Sequence, residues 1–128
     1  MIRRYASGGP WEEIFGYSRT VAAGPLVMSA GCTATVDGGV VHVGDARGQA
    51  LVAFRIALEG LARAGAAVAD VVRTRMYVVS ADDADAVGRA HAEIFGDVRP
   101  VATMVVVARL IRPEHLVEVE VEAYVAGD

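Results

Sequence analysis

The sequence predicts an α+β domain in which six strands form one mostly antiparallel sheet with two helices on a single face. Three observations predict it. Residues 117–123 alternate strictly between Val117, Val119, Val121, Ala123 and Glu118, Glu120, Glu122, the two-residue period of a half-buried strand. Residues 46–64 place Leu51, Phe54, Leu58 and Leu61 at intervals of three and four, which is one face of a helix. The elements come in the order β-β-β-α-β-α-β-β, which packs most simply as a sheet with both helices on one side. The 128 residues, 54% hydrophobic and 22% charged, suffice for one ordered core, so residues 1–128 are read as a single domain.

Taken in order, "IRRYAS" reads as an edge strand and "GGPWEEIFG" as a loop. "SRTVAAG" and "PLVMSAG" are two strands joined at the turn pair Gly24-Pro25. "TVDGGVVHVGD" is a polar connection that turns at Asp37-Gly38-Gly39. Asp45 is placed to cap the first helix, and Gly65 stands where a helix end favours a left-handed residue. "DVVRTRMYVVS" is rich in β-branched residues and reads as a strand. Ser80 and Asp83 form a capping pair for the second helix, which buries Ala84, Val87, His91 and Ile94 and stops at Gly96. "ATMVVVARL" and "VEVEVEAYV" are the last two strands. If the helices cover the valine face, the glutamates share the other face with Arg73 and Arg75 and pair with them across strands.

Composition excludes several chemistries. All 12 basic residues are arginine, which removes Schiff-base lysines and the phosphate-loop lysine. A net charge of −4 gives nucleic acid little to bind. His42, His91 and His115 lie apart, with no metal-ligand spacing, so no metal is expected. His91 reads as a core or edge histidine, and His42 and His115 as loop residues. No G-x-G-x-x-G or P-loop occurs, so no cofactor is expected either. The single Cys32 has no base beside it in sequence and reads as a small buried hydrophobe. No apolar run reaches spanning length and no h-region follows "MIRRYASGG", so a cytoplasmic protein without membrane contact is expected. So apolar a small chain is expected to form oligomers. Composition and spacing alone name no reaction.

The ordered set "GYSRTVAAGPLVMSAG", "AGAAVADVVRTRMYVVSADDADAVGRAHAEIFG", "RPVATMVVVARL" and "VEVEVEA" resembles the reactive-intermediate deaminase family, the YjgF-like or Rid proteins, over about residues 15–126. The resemblance implies a chorismate-mutase-like fold and a homotrimer with ligand pockets between subunits. It implies hydrolysis of reactive enamines or imines to ketoacid and ammonia. An arginine would grip the substrate carboxylate and a glutamate would position water. On this chain it implies Tyr17 as the pocket tyrosine, Gly31 as the backbone-contact glycine, and Glu120 as the water-handling residue. It leaves Glu118 and Glu122 as structural charges.

The chain departs from the family pattern at several pocket positions. The family's P-x-R-[ST] arginine is Ala102 here, between Pro100 and Thr103, and the cysteine two places on is Met104. Ala30 and Gly88 replace a common serine and asparagine. These changes predict a pocket lined by Gly31, Cys32, Ala102, Thr103 and Met104 and shifted away from simple amino-acid-derived imines. Arg19, on the face of Tyr17, is the first candidate for a substitute anchor, ahead of Arg99 and Arg109. The alternative is a trimer that binds a small apolar metabolite or a partner without turnover. A ribonuclease ranks last.

Overall fold

A computed structural model describes residues 1–127 of the chain. Strand β1 (Ile2–Tyr5) and helix α1 (Pro10–Phe15) precede strands β2 (Thr20–Ala23) and β3 (Leu26–Ser29). A ribbon of β4 (Thr35–Val36) and β5 (Gly39–Val40) leads to helix α2 (Ala46–Arg63). Strand β6 (Val71–Val78), helix α3 (Ala84–Phe95) and strands β7 (Val101–Val106) and β8 (Val117–Tyr124) complete the order. The main sheet runs β1-β2-β3-β8-β6-β7. All its pairings are antiparallel except β6–β7, which the α3 crossover makes parallel.

The alternation in β8 sorts its side chains as the sequence predicts. Val117, Val119, Val121 and Ala123 are buried toward the helices, and the three glutamates look out from the other face. Asp45 caps α2 by accepting a hydrogen bond from the Gly48 N–H at 2.9 Å, and Gly65 takes φ +90° just after its end. The buried stripe of α2 is Ala50, Ala53, Phe54, Ala57 and Leu61. Leu51 and Leu58, expected on that stripe, are only partly buried. Small residues facing the sheet bring the helix close: a Cβ on Gly60 would stand 2.5 Å from Thr20 Oγ1.

Three local expectations are corrected. Residues 10–15 are a short helix, not a loop, with Pro10 at its start and Gly16 at φ +76° closing it. The signal was weak because a six-residue helix shows no full period; Glu12 holds it by turning inward, 6% exposed, to accept from the Ser7 N–H and hydroxyl. The "ATMVVVARL" strand begins at Val101 and ends at Val106, which leaves Arg109 in the following loop. Ser80 accepts from the Asp82 N–H at 3.1 Å to start a 3-10 turn, and α3 begins at Ala84 without a side-chain cap from Asp83. No helix of the described residues is long and apolar enough to cross a membrane.

Candidate functional site

The face of the sheet opposite α2 and α3 carries most of the polar side chains singled out in the sequence. Strand register places them. Arg75 on β6 lies directly between Glu120 on β8 and Thr103 on β7, so all three share this face. Arg75 Nη1 donates to Glu122 Oε1 at 2.6 Å and reaches Glu120 Oε2 at 3.4 Å, and Arg73 Nε stands 3.9 Å from Glu122 Oε2. The expected cross-strand pairing of these arginines and glutamates is therefore present. The Tyr77 hydroxyl donates to Glu120 Oε1 at 2.8 Å. That bond, with some burial and the charge of Glu120, pushes the Tyr77 phenol above its usual range.

A second cluster lies at the other end of the glutamate row. Arg19 is mostly buried, and its Nη1 donates to the Gly31 carbonyl at 3.0 Å and to Cys32 Sγ at 3.3 Å. Its Nε, 3.8 Å from Glu12 Oε2, makes no hydrogen bond. Cys32 is 1% exposed, bridges Val119 of β8 through its backbone, and points its thiol at the Ala30 carbonyl 3.3 Å away. Burial pushes that thiol up in spite of the nearby guanidinium. The cluster also contains Glu118. A Cβ on Gly31 would collide with its carboxylate, whose Cδ lies 3.0 Å from that position. Burial and then the charge of Glu120 raise the Glu118 pKa, with Arg19 opposing them. Tyr17 is exposed in the loop before β2, near enough to Arg19 to act on its charge.

Ala102 and Met104 lie elsewhere. They pair with Thr74 and Met76, which are buried toward the helices, so both face the helix side of the edge strand β7. A Cβ on Gly88 would sit 3.9 Å from Met104 Cε, which puts Gly88 of α3 on that side too. One chain thus brings Glu118, Glu120 and Thr103 to one face, with Gly31 against Glu118, and Ala102 and Met104 to the other. Cys32, paired with Val119, faces the helices, and Arg19 reaches it with its Cγ 3.6 Å from where a Cβ on Gly60 would stand. Arg99 has φ +57° and spends its Nε on the Gly96 carbonyl at 3.2 Å, and Arg109 is exposed in its loop.

The histidines are structural in their surroundings. His91 Nε2 bonds Thr74 Oγ1 at 2.7 Å and packs beside Phe54 and Phe95, and burial lowers its pKa. His115, expected as an ordinary loop residue, is 5% exposed and bonds Thr35 Oγ1 at 2.9 Å. His42 stands 3.5 Å from Asp45. Among the described residues no three His, Cys, Asp or Glu side chains converge as a metal site would require. Sequence reasoning missed Tyr77 and Glu12 and read Glu118 as a structural charge. Tyr77 shares parity with Arg75, and Glu118 with Glu120, whereas Glu12 carried no periodic signal.

The sheet order, the single parallel crossover and the helices on one face define a chorismate-mutase-like α+β protein. The sequence model of the family described as Endoribonuclease L-PSP matches residues 11–125. An uncharacterized protein of Streptomyces coelicolor is 49% identical over 123 residues, which is 96% of this chain and 92% of that one. Rv2704 of Mycobacterium tuberculosis, described as a member of the YjgF/YER057c/UK114 family, superposes with TM-score 0.88 at 44% identity over 98% of this chain and 100% of that one. PA3499 of Pseudomonas aeruginosa, a protein of unknown function, gives TM-score 0.85 at 30% identity over 98% of this chain and 93% of that one. The chain belongs to the Endoribonuclease L-PSP family, the YjgF or Rid family.

Proposed function

We propose that this protein hydrolyses a small imine or enamine to a carbonyl compound and ammonia, in a cleft formed between copies of the chain in a homotrimer. The observation that supports this most is the cluster at the Glu118 end of the glutamate row. Arg19 is fixed by the Gly31 carbonyl and Cys32 Sγ near Glu118, and Glu120 follows Glu118 on the same strand face, so a donor and two carboxylates lie at one end of the row. Tyr17 and Glu120 would polarise the substrate or position water there. The edge strand β7 supports assembly: Val101, Val105 and Val106 are exposed on it, and apolar edges call for a partner.

Ala102 and Met104 supply apolar surface where the family resemblance implies a carboxylate-gripping arginine. The substrate class is therefore an imine or enamine without a carboxylate. The test compares two imines with the same side chain, formed in situ by enzymatic oxidation of leucine and of 3-methylbutylamine. Faster ammonia release from the second, reduced by Glu120→Gln, is expected. If neither these nor a broad panel of imines and enamines is hydrolysed faster than by buffer, the reading fails.

One observation favours a second reading, a binding trimer without turnover: Tyr77 and Arg75 already engage both oxygens of Glu120. A ribonuclease, the activity in the family's description, is disfavoured by a net charge of −4, the absence of lysine and three glutamates in a row on the polar face.

A further inference from the structure

Glu118 differs from its two neighbours in the row by having no partner. Glu120 is held by Tyr77 and Arg75, and Glu122 by Arg75 and Arg73. Among the described residues no donor bonds Glu118, and no cation lies within ion-pair distance of it. Its carboxylate instead occupies the space that the missing side chain of Gly31 leaves free. The charged and titratable groups facing it are Arg19 and Cys32 from the β2 and β3 side, Tyr77 from β6, and Glu120 on its own strand.

We propose that Glu118 moves the protons of the hydrolysis, while Glu120 is a fixed anion that Tyr77 and Arg75 hold in place. This rests on the hydrolase reading above. A general base must be free to take a proton and give it back, and a carboxylate already bonded through both oxygens is poorly placed to do so. Glu118 is free, and its carboxylate lies in the space over Gly31, near enough to Arg19 to feel its charge. The reaction starts from the protonated imine, an iminium cation. Water attacks its carbon, the π pair of the carbon–nitrogen double bond moves to nitrogen, and Glu118 takes the proton that water loses. This gives a neutral carbinolamine, with hydroxyl and amino groups on one carbon. Glu118 then returns its proton to the amino nitrogen. The C–N bond breaks with its electron pair leaving on ammonia, an oxygen lone pair closes the carbonyl, and the hydroxyl proton passes to ammonia. The products are the carbonyl compound and an ammonium ion. Burial and the charge of Glu120 suit Glu118 to this exchange, because both raise its pKa toward neutral pH.

The experiment measures kcat/KM against pH for wild type, Glu118→Gln, Glu118→Asp and Glu120→Gln on the imine from 3-methylbutylamine, with circular dichroism to confirm folding. In wild type an acidic limb is expected, centred above the usual glutamate range. Glu118→Gln loses kcat by about 100-fold or more, the size of a general acid–base contribution, and the limb disappears. Glu118→Asp keeps the limb at a reduced rate, which covers the case of a poorly folded glutamine variant. Glu120→Gln lowers the rate and keeps the limb. If Glu118→Gln stays within a few-fold of wild type, or the limb vanishes with Glu120→Gln instead, the assignment is overturned while the hydrolase reading stands. An inactive wild type overturns the reading and the assignment with it.

Discussion

Ala102 and Glu120 stand on opposite faces of one sheet. Ala102 pairs in register with Thr74, which is buried against the helices, and Glu120 pairs with Arg75 on the polar face. The sheet backbone separates them, so a ligand touching both must lie between two copies. Co-expressing Glu120→Gln with Ala102→Trp, each impaired alone, is expected to recover part of the lost activity. Random mixing around a head-to-tail ring leaves about a quarter of the sites with both intact halves. No recovery in the mixed oligomer would place the whole site within one chain.

Glu118 should cost stability at neutral pH. Burial and the Glu120 charge raise its pKa in the folded state above the ordinary value of 4.5. Below that value both folded and unfolded chains hold the proton and the group is neutral in its effect. As pH rises through the raised pKa, the folded state ionises at a penalty the unfolded chain escapes. Glu118→Gln is therefore expected to raise Tm by a few degrees at neutral pH, with the gain fading toward the ordinary glutamate pKa. A lower Tm at neutral pH would show that the carboxylate is stabilising.

Tyr77 should titrate late. Its bond to Glu120, partial burial and the charge of that carboxylate all favour the neutral phenol. Absorbance titration of wild type should contain a component above the usual tyrosine range, absent in Tyr77→Phe and shifted down in Glu120→Gln. The lost hydrogen bond should cost about 1 kcal/mol in denaturant unfolding. A profile unchanged by Tyr77→Phe would contradict the contact.

Cys32 should be inert in the native protein. The residue is 1% exposed and burial disfavours the thiolate. A thiol reagent at neutral pH is expected to label it only after denaturation. Rapid stoichiometric labelling of folded protein would mean that this region opens readily.

Gly60 sets the distance between α2 and β2. A methyl group there would meet Thr20 Oγ1 at 2.5 Å, so the buried Thr20 side chain must turn or helix and strand must move apart. Gly60→Ala is expected to lower stability by about 1–3 kcal/mol, as overpacking does, against the gain usual for this change in an open helix. Unfolding in urea measures it, and a stabilised variant would rule out the close contact.

Side-chain period and end signals determined the long elements from sequence alone. They separated the valine and glutamate faces of β8, placed α2 between Asp45 and Gly65, and put Arg73 and Arg75 among the glutamates. These are local properties, fixed by the helical period of 3.6 and the strand period of 2. The ordered motifs added the family, and with it the architecture.

Only the tertiary structure decided who meets whom. Parity puts Glu118, Glu120 and Glu122 on one face but cannot distinguish them, since all three are equivalent until neighbouring strands are set in register. Register sets Arg75 opposite Glu120, Arg73 opposite Glu122 and Tyr77 opposite Glu118; the Tyr77 hydroxyl and Arg75 then reach diagonally to Glu120 and Glu122, which leaves Glu118 over Gly31 near Arg19. It likewise turns Ala102 away from Glu120, and brings Glu12 inward to Ser7 and Arg19 from a segment too short to show a period. Register and close approach depend on residues far apart in the chain, and no local pattern records them.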